Sequence, residues 1–182
     1  VGRDITDQDQ AESQRRATEL RYSELFARSP SPLVLHRDGR VLDANVAALA
    51  LFGAWEQKDL IGRQLLSFYD AEDGSRELAA RRLARLTSVP IGEAAPPQQF
   101  SIRTTAGRRL AVQVTSVKVE AEGGEALLSI YRDETERQRA EGARARSEAL
   151  LSHVVATSPD VITLTDLATG TNTTTDLGAV PG

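Results

Sequence analysis

The spacing of apolar residues changes along this chain, and each change marks a predicted element. Two short stretches, 33–37 and 40–44, carry strand-forming apolar residues on either side of Asp38-Gly39. Because glycine tolerates positive φ at no steric cost, this pattern predicts a β-hairpin. Between Asn45 and Gly53 the apolar residues recur at helical spacing, so a short helix follows the hairpin.

The middle of the chain predicts two further helices and three strands. A short helix is expected between Trp55 and Gly62, and a longer one from Ser75 to Val89, where Pro90 ends it. A loop is expected around Pro96-Pro97. The alternation in the middle strand contains one slip, after Val114. The predicted strands are 99–105, 110–119 and 126–131.

Five short motifs occur in a fixed order within this region. They are Asp38-Gly39, Val41-Leu42, Ala44-Asn45, Gly53-Ala54-Trp55 and Leu60-Ile61-Gly62. This order closely resembles the PAS sensory domain, whose motif positions here are Asp38, Gly39, Asn45 and Gly62. The resemblance implies an α+β fold: a five-stranded antiparallel sheet in the order 2-1-5-4-3, helices on one face, and a linker helix at each end.

An internal repeat indicates how such units are arranged. Residues 3–30 align without gaps on residues 132–159, which indicates one structural unit plus its linker, iterated. We therefore predict a slice of a tandem PAS array. Its parts are the end of a preceding unit with its linker helix, a complete PAS domain, a linker helix, and the truncated start of a following unit, at 1–19, 20–133, 134–152 and 153–182.

The linkers carry a second resemblance to the family. Asp4-Ile5-Thr6 and Asp133-Glu134-Thr135 resemble the Asp-x-Thr motif that closes PAS domains, which implies a signal-relay role for Asp133 and Thr135. An Asp or Thr at this place accepts hydrogen bonds from the free N–H groups of the helix that follows. The linker helices have only a sparse apolar stripe, which favours a parallel pair in a homodimer; a solvated single helix is the alternative.

Composition removes several classes of function. The net charge of −4 provides no basic surface for nucleic acid. Cysteine is absent, which excludes disulfides, Cys-based zinc sites and cysteinyl-flavin photochemistry, while noncovalent flavin or a small apolar metabolite stays open. No catalytic motif can be assembled from the sequence, so we expect no enzymatic activity in this region and no metal site.

The two histidines are candidate ligands or phosphoacceptors. The resemblance implies that a haem-binding relative takes its axial histidine from the long helix, which has none here, so haem is not expected. His36 is interpreted as a structural histidine on a strand. Ser152-His153 with Thr157 and Pro159 partly matches a histidine-kinase phosphoacceptor box, but His153 aligns with Glu24 in the repeat, which favours a plain linker position.

The hydropathy of the sequence indicates where in the cell this protein is located. The longest apolar run is about half the length of a membrane span, and the polar residues 3–16 do not form a secretory signal. We therefore expect no direct membrane insertion and a cytoplasmic location, which is compatible with a membrane-anchored parent protein.

Two functions are consistent with these observations. The first is a sensory module of a bacterial two-component signal-transduction protein, which binds a small ligand or a partner and shifts its linkers; the resemblance implies a histidine kinase as parent, with a diguanylate cyclase as the alternative. The second is a ligand-free relay and dimerisation spacer. The ligand's identity is left open. The predicted cavity residues are Leu35, Phe52, Leu60, Leu65, Phe68, Leu78, Leu83, Phe100, Val112 and Leu128.

Overall fold

A computed structural model describes residues 23–157, 162–165 and 172–175 of the chain. The chain divides into two compact units, Val1–Thr135 and Glu136–Gly182. The predicted first linker with its Asp4-Ile5-Thr6 motif, and much of the predicted following unit, lie outside the described residues. The tandem array therefore stays a prediction.

A five-stranded antiparallel sheet is the framework of the first unit. Its strands are β1 (Leu33–Arg37), β2 (Arg40–Ala44), β3 (Ala94–Arg103), β4 (Arg109–Ala121) and β5 (Gly124–Asp133). They lie in the order β2-β1-β5-β4-β3, which confirms the predicted fold class. Asp38 and Gly39 join β1 to β2 with φ angles of 50° and 76°, the left-handed conformation typical of a tight hairpin turn.

β3 differs from its predicted course. It starts at Ala94 rather than at residue 99, and it contains Pro96 and Pro97, where a loop was expected. Its register against β4 shifts between Ala95 and Gln98, so the two prolines occupy a bulge. β3 is an edge strand, and a proline there need not remove a ladder hydrogen bond.

α2 (Val46–Phe52) and α3 (Ser75–Leu86) contribute buried side chains to the core on one face of this sheet. A further helix, α1, is described over 23–28, and single 3-10 turns occur at Gln57–Asp59 and Leu65–Ser67. The predicted long helix is confirmed as α3, although it ends at Leu86 and residues 87–88 form a turn. The short helix expected between Trp55 and Gly62 is only a 3-10 turn.

Ion pairs hold the start of α3 over the sheet. The buried carboxylate of Asp70 lies 3.2 Å from Arg103 Nη2 and 3.1 Å from Arg109 Nε. Asp73 forms a further ion pair with Arg109 at 2.5 Å and accepts a hydrogen bond from Ser75 N. These contacts fix the position of α3 relative to β3 and β4, and so the position of every side chain that α3 directs inward.

Aromatic side chains close one half of the interior. Phe52 packs edge-to-face against Phe68 and Tyr131, with ring centroids 5.0 Å and 5.3 Å apart. Tyr69 and Phe100 form a third edge-to-face pair at 5.1 Å. Edge-to-face packing adds to the stabilisation that burial itself provides, so this half is a close-packed core.

Gly53 ends α2 in a conformation that other residues adopt at a cost. Its φ is 70°, and an added Cβ would lie 3.3 Å from Thr105 Oγ1. We expect Gly53→Ala to lower the free energy of unfolding by about 2 kcal/mol, because backbone strain and crowding act together. Gly92→Ala is the matched control, since φ is 81° there but nothing lies within 4 Å. Equal losses in urea titrations of the two variants would show that crowding contributes nothing.

The second unit contains a helix and a hairpin. The helix, α4, spans Thr135–Thr157, of which Thr135 itself belongs to the first unit. Exposed pairs such as Arg137–Glu141 and Arg144–Glu148 join successive turns of α4. β6 (Ile162–Thr165) pairs antiparallel with β7 (Asn172–Thr175), a strand that the sequence pattern did not predict. In the described part of the chain, no helix combines the length and the apolar character that crossing a membrane requires.

Candidate ligand cavity

Most of the predicted cavity side chains face the interior, but three do not. Leu35 and Leu128 are direct partners across β1 and β5 and lie on the opposite face of the sheet. The reason is strand alternation, since Val34 and His36 on either side of Leu35 are the buried residues. Leu78 is 37% exposed on the outward side of α3. The side chains that do face the interior are Phe52, Leu60, Leu65, Phe68, Leu83, Phe100 and Val112.

A small inner cavity lies between α3 and the sheet. Its volume is about 20 Å³, which is room for about one water molecule. Leu65, Leu83 and Phe100 line it on the apolar side, as do residues of the α3 face. The other side is polar. The polar lining residues are His36, Tyr69, Arg82, Ser116 and Ser129.

Three strands contribute one hydrogen-bonded chain to the polar side. His36 Nε2 on β1 lies 2.9 Å from Ser129 Oγ on β5, and Ser129 Oγ lies 2.9 Å from Ser116 Oγ on β4. All three side chains are buried. They meet because the register pairs Ser116 directly with Ser129 and places His36 beside it.

Burial sets the ionisation state of His36. The side chain is 1% exposed, and desolvation lowers its pKa from 6.5 to about 4, so the imidazole is neutral at pH 7. Its Nδ1 atom has no hydrogen-bond partner within the described part of the protein. A buried polar atom without a partner is costly, which makes Nδ1 a candidate contact for a ligand.

Arg82 brings a positive charge to the same cavity. It projects inward from α3 and is 8% exposed. Its Nη1 donates to Gln98 Oε1 at 3.2 Å and its Nη2 donates to the Val114 carbonyl oxygen at 3.3 Å. Burial lowers the pKa of Arg82 from its ordinary value. Its Nε has no hydrogen-bond partner among the described residues.

A tyrosine pair links the cavity lining to the aromatic core, because Tyr69 lines the cavity and Tyr131 packs against Phe52. The hydroxyl groups of Tyr69 and Tyr131 lie 3.2 Å apart. Burial raises the pKa of Tyr69 to about 12 and that of Tyr131 well above its ordinary value. Both phenols are therefore neutral at physiological pH and act only as hydrogen-bonding groups.

A second, outer cavity of about 100 Å³ adjoins the inner one. The two share His36 and Leu86 in their linings. In the outer cavity Lys118 Nζ donates to the Thr87 carbonyl oxygen at 2.8 Å and forms an ion pair with Glu125 at 2.9 Å. The ammonium group of Lys118 is thus satisfied, so the unsatisfied buried nitrogen atoms favour the inner cavity as the candidate site.

The polar lining is what the sequence pattern missed. The apparent slip in β4 does not exist, because β4 and β5 pair without a break from Val112 to Ala121. Strict alternation therefore continues inward through Ser116 and Lys118, while Val117 and Val119 face the other way. Following the period of two rather than the apolar residues would have found both polar positions.

A family comparison decides what kind of domain this arrangement belongs to. The family model of the PAS domain matches residues 30–136. The chain belongs to the PAS family. PAS domains are sensory, non-catalytic modules. No curated protein matches the chain significantly.

Solved structures show the same PAS fold. The PAS domain of an HTR-like protein from Haloarcula marismortui is 24% identical, with a TM-score of 0.52, covering 69% of this chain and 98% of that one. A PAS domain from Colwellia psychrerythraea is 14% identical, with a TM-score of 0.53 and coverages of 65% and 98%. A domain of a sensory box sensor histidine kinase/response regulator from Geobacter sulfurreducens is 22% identical, with a TM-score of 0.51 and coverages of 64% and 94%. At these identities the likeness extends to the fold alone.

The closing motif of the PAS domain is tied to β4. Asp133 Oδ1 accepts a hydrogen bond from Thr135 N at 2.8 Å. Thr135 Oγ1 accepts from Ala111 N at 3.0 Å, and Glu134 N donates to the Ala111 carbonyl oxygen at 2.8 Å. The first residue of α4 is thereby fixed to the strand that lines the inner cavity.

Proposed function

We propose that this PAS domain senses a small molecule in the inner cavity and passes the signal to the linker helix α4, within a cytoplasmic part of a bacterial histidine kinase. The observation that carries the proposal is the cavity itself. In a core that is otherwise closely packed, it collects buried polar groups from three strands and α3, two of them with unsatisfied nitrogen atoms. Such concave sites with a few convergent polar groups are typical of ligand pockets.

β4 supplies a physical connection from the cavity to the linker. Ser116 belongs to the polar chain, the Val114 carbonyl oxygen accepts from Arg82, and Ala111 holds Thr135. A ligand that moves Arg82 or Ser116 therefore acts on the strand that fixes the start of α4. The signal requires different ligand affinities for two arrangements of this strand and the linker.

Thr135→Val tests the connection at its linker end. Valine keeps the shape of the side chain but removes the acceptor of Ala111 N, so we expect a loss of about 1 kcal/mol in the free energy of unfolding and faster hydrogen exchange at Ala111. Thr115→Val makes the same substitution within β4 itself, and its exchange at Ala111 should match the parent protein. If Ala111 exchanges equally in both variants, Thr135 does not anchor the linker.

Binding itself is tested by native mass spectrometry of the gently purified chain, followed by backbone amide spectra in a panel of small acids, alcohols and amides. We expect a co-purified mass or a panel member that shifts the Ser116 and Ser129 amides saturably without shifting Thr115, which lies on the outer face. A chain of unmodified mass whose interior amides respond to no panel member would favour the ligand-free relay. The small volume of the inner cavity favours the ligand-free relay.

We also propose that α4 pairs with the same helix of a second chain. Leu150 and Leu151 are exposed on α4 and would gain from burial in such a pair. They are adjacent rather than spaced by heptads, so the pairing would be local to this end of the helix. Sedimentation of Leu150→Gln beside the parent chain should show weaker self-association, and unchanged self-association would remove Leu150 from the interface.

A further inference from the structure

The buried positive charge of Arg82 has only neutral hydrogen-bond acceptors. Both acceptors of its guanidinium are neutral, the Gln98 amide oxygen and the Val114 carbonyl oxygen. Within the described residues it forms no ion pair with a carboxylate. Its pKa is lowered mainly by burial; Tyr69 opposes this, and the neighbouring cation Arg85 adds to it. A buried cation without a counter-ion is among the least favourable arrangements in a protein interior.

Two buried nitrogen atoms without hydrogen-bond partners indicate where an acceptor for this charge would lie. Arg82 Nε carries a hydrogen atom and can only donate, and it is buried without an acceptor. His36 Nδ1 is buried without a partner in the lining of the same cavity. If Ser129 donates to His36 Nε2, the remaining proton of the neutral imidazole is on Nδ1, which then also donates. In that tautomer, two donors and one positive charge lack an anionic acceptor.

The size and the walls of the cavity limit what that acceptor is. The volume of about 20 Å³ is room for about one water molecule, so any larger guest requires the cavity to widen, and the guest must be small. Leu83 and Leu86 on α3 and Phe100 on β3 contribute apolar surface to the lining. A planar oxyanion matches the guanidinium donors, and a short alkyl group matches this apolar surface.

We infer that the inner cavity binds a short-chain monocarboxylate of about the size of formate or acetate, whose oxygen atoms accept from Arg82 Nε and His36 Nδ1 and whose carbon end faces Leu83 and Phe100. This inference rests on the proposed sensory function and narrows its ligand to one chemical class. The carboxylate would be the counter-ion of Arg82, whose acceptors within the protein are neutral.

The test is a titration of the 182-residue chain with sodium formate, acetate, propionate and butyrate at constant ionic strength, followed by the Ser116 and Ser129 amide signals. We expect saturable shifts that are strongest for formate or acetate. Acetamide, which is neutral and of similar shape to acetate, should bind at least about tenfold more weakly. Acetamide binding as tightly as acetate would overturn the inference.

Variants assign the effect to Arg82. Arg82→Gln should weaken acetate binding by at least about tenfold, whereas Arg81→Gln, an exposed neighbour on the same helix, should leave it within about twofold. Arg82→Met is the second variant should Arg82→Gln fold poorly, with circular dichroism as the check of folding. Equal acetate affinity in the Arg81 and Arg82 variants would overturn the inference. A saturable response to neutral molecules alone would overturn it while sparing the sensory function, and no response to any molecule would remove both.

Discussion

Replacing Asn45 by alanine should lower the free energy of unfolding by about 4 kcal/mol. Asn45 is 2% exposed and its side chain takes part in five hydrogen bonds. Its Oδ1 accepts from Ala48 N, which caps α2, and from Leu33 N at the start of β1. Its Nδ2 donates to backbone carbonyl oxygen atoms of the segment that leads into β1. Those acceptors are Phe26, Ser29 and Ser31.

Denaturant titration of Asn45→Ala against Val46→Ala provides the measurement. Val46 is the next residue and is 69% exposed, so its truncation should cost less than about 0.5 kcal/mol. Asn45→Asp keeps the acceptor but turns a second oxygen atom toward the carbonyl groups that Nδ2 bonds, so it should cost at least as much as Asn45→Ala. An Asn45→Ala loss below about 1 kcal/mol would show that water replaces these hydrogen bonds and that Asn45 does not join α1, α2 and β1.

The protein should lose about 3 kcal/mol of stability when the pH falls from 7 to 4, because of His36. Its pKa is about 4 in the folded chain and 6.5 as the ordinary value, so the unfolded chain binds more protons between these limits. Stability contributed by the neutral histidine is complete above pH 6.5 and is lost as the pH falls toward 4. The charged and titratable side chains that share the two cavities with His36 are Arg37, Asp38, Tyr69, Arg82, Lys118 and Glu125.

The two carboxyl groups with lowered pKa values act outside this window. The pKa of Asp73 is lowered mainly through hydrogen bonds that outweigh desolvation, and that of Asp59 is lowered by backbone hydrogen bonds, so both lose their contribution only below about pH 4. We expect His36→Gln to flatten the dependence of unfolding free energy on pH between 6.5 and 4. His153→Gln, the exposed histidine on α4, should retain it. An unchanged slope in His36→Gln would assign the loss to other groups.

Local patterns predicted the framework well, and the reason is that local chemistry fixes it. Asp38-Gly39 adopts left-handed φ angles that few other pairs tolerate, and Asn45 caps α2 through its own side chain. The strand order came from the PAS resemblance rather than from periodicity. Alternation also determines which face a residue occupies, so applying it strictly would have excluded Leu35 and Leu128 from the cavity.

The polar site could not be predicted because it depends on contacts between distant segments. His36, Ser116 and Ser129 meet only through the register of β1, β5 and β4. Arg82 repeats at the apolar spacing of α3, yet the sequence does not show whether a carboxylate reaches it. That question is settled by the packing of α3 on the sheet, where the acceptors prove to be an amide and a carbonyl oxygen.

We propose that the polar half of this interior is built for a ligand rather than for stability. The unfolding free energy of Arg82→Met, measured by urea titration in buffer without small carboxylates, is the decisive measurement. Because the buried guanidinium has no counter-ion, methionine should leave stability unchanged or raise it by about 1 kcal/mol. A loss of more than about 2 kcal/mol would contradict the claim, since it would show that Arg82 holds α3 to the sheet as part of the structure.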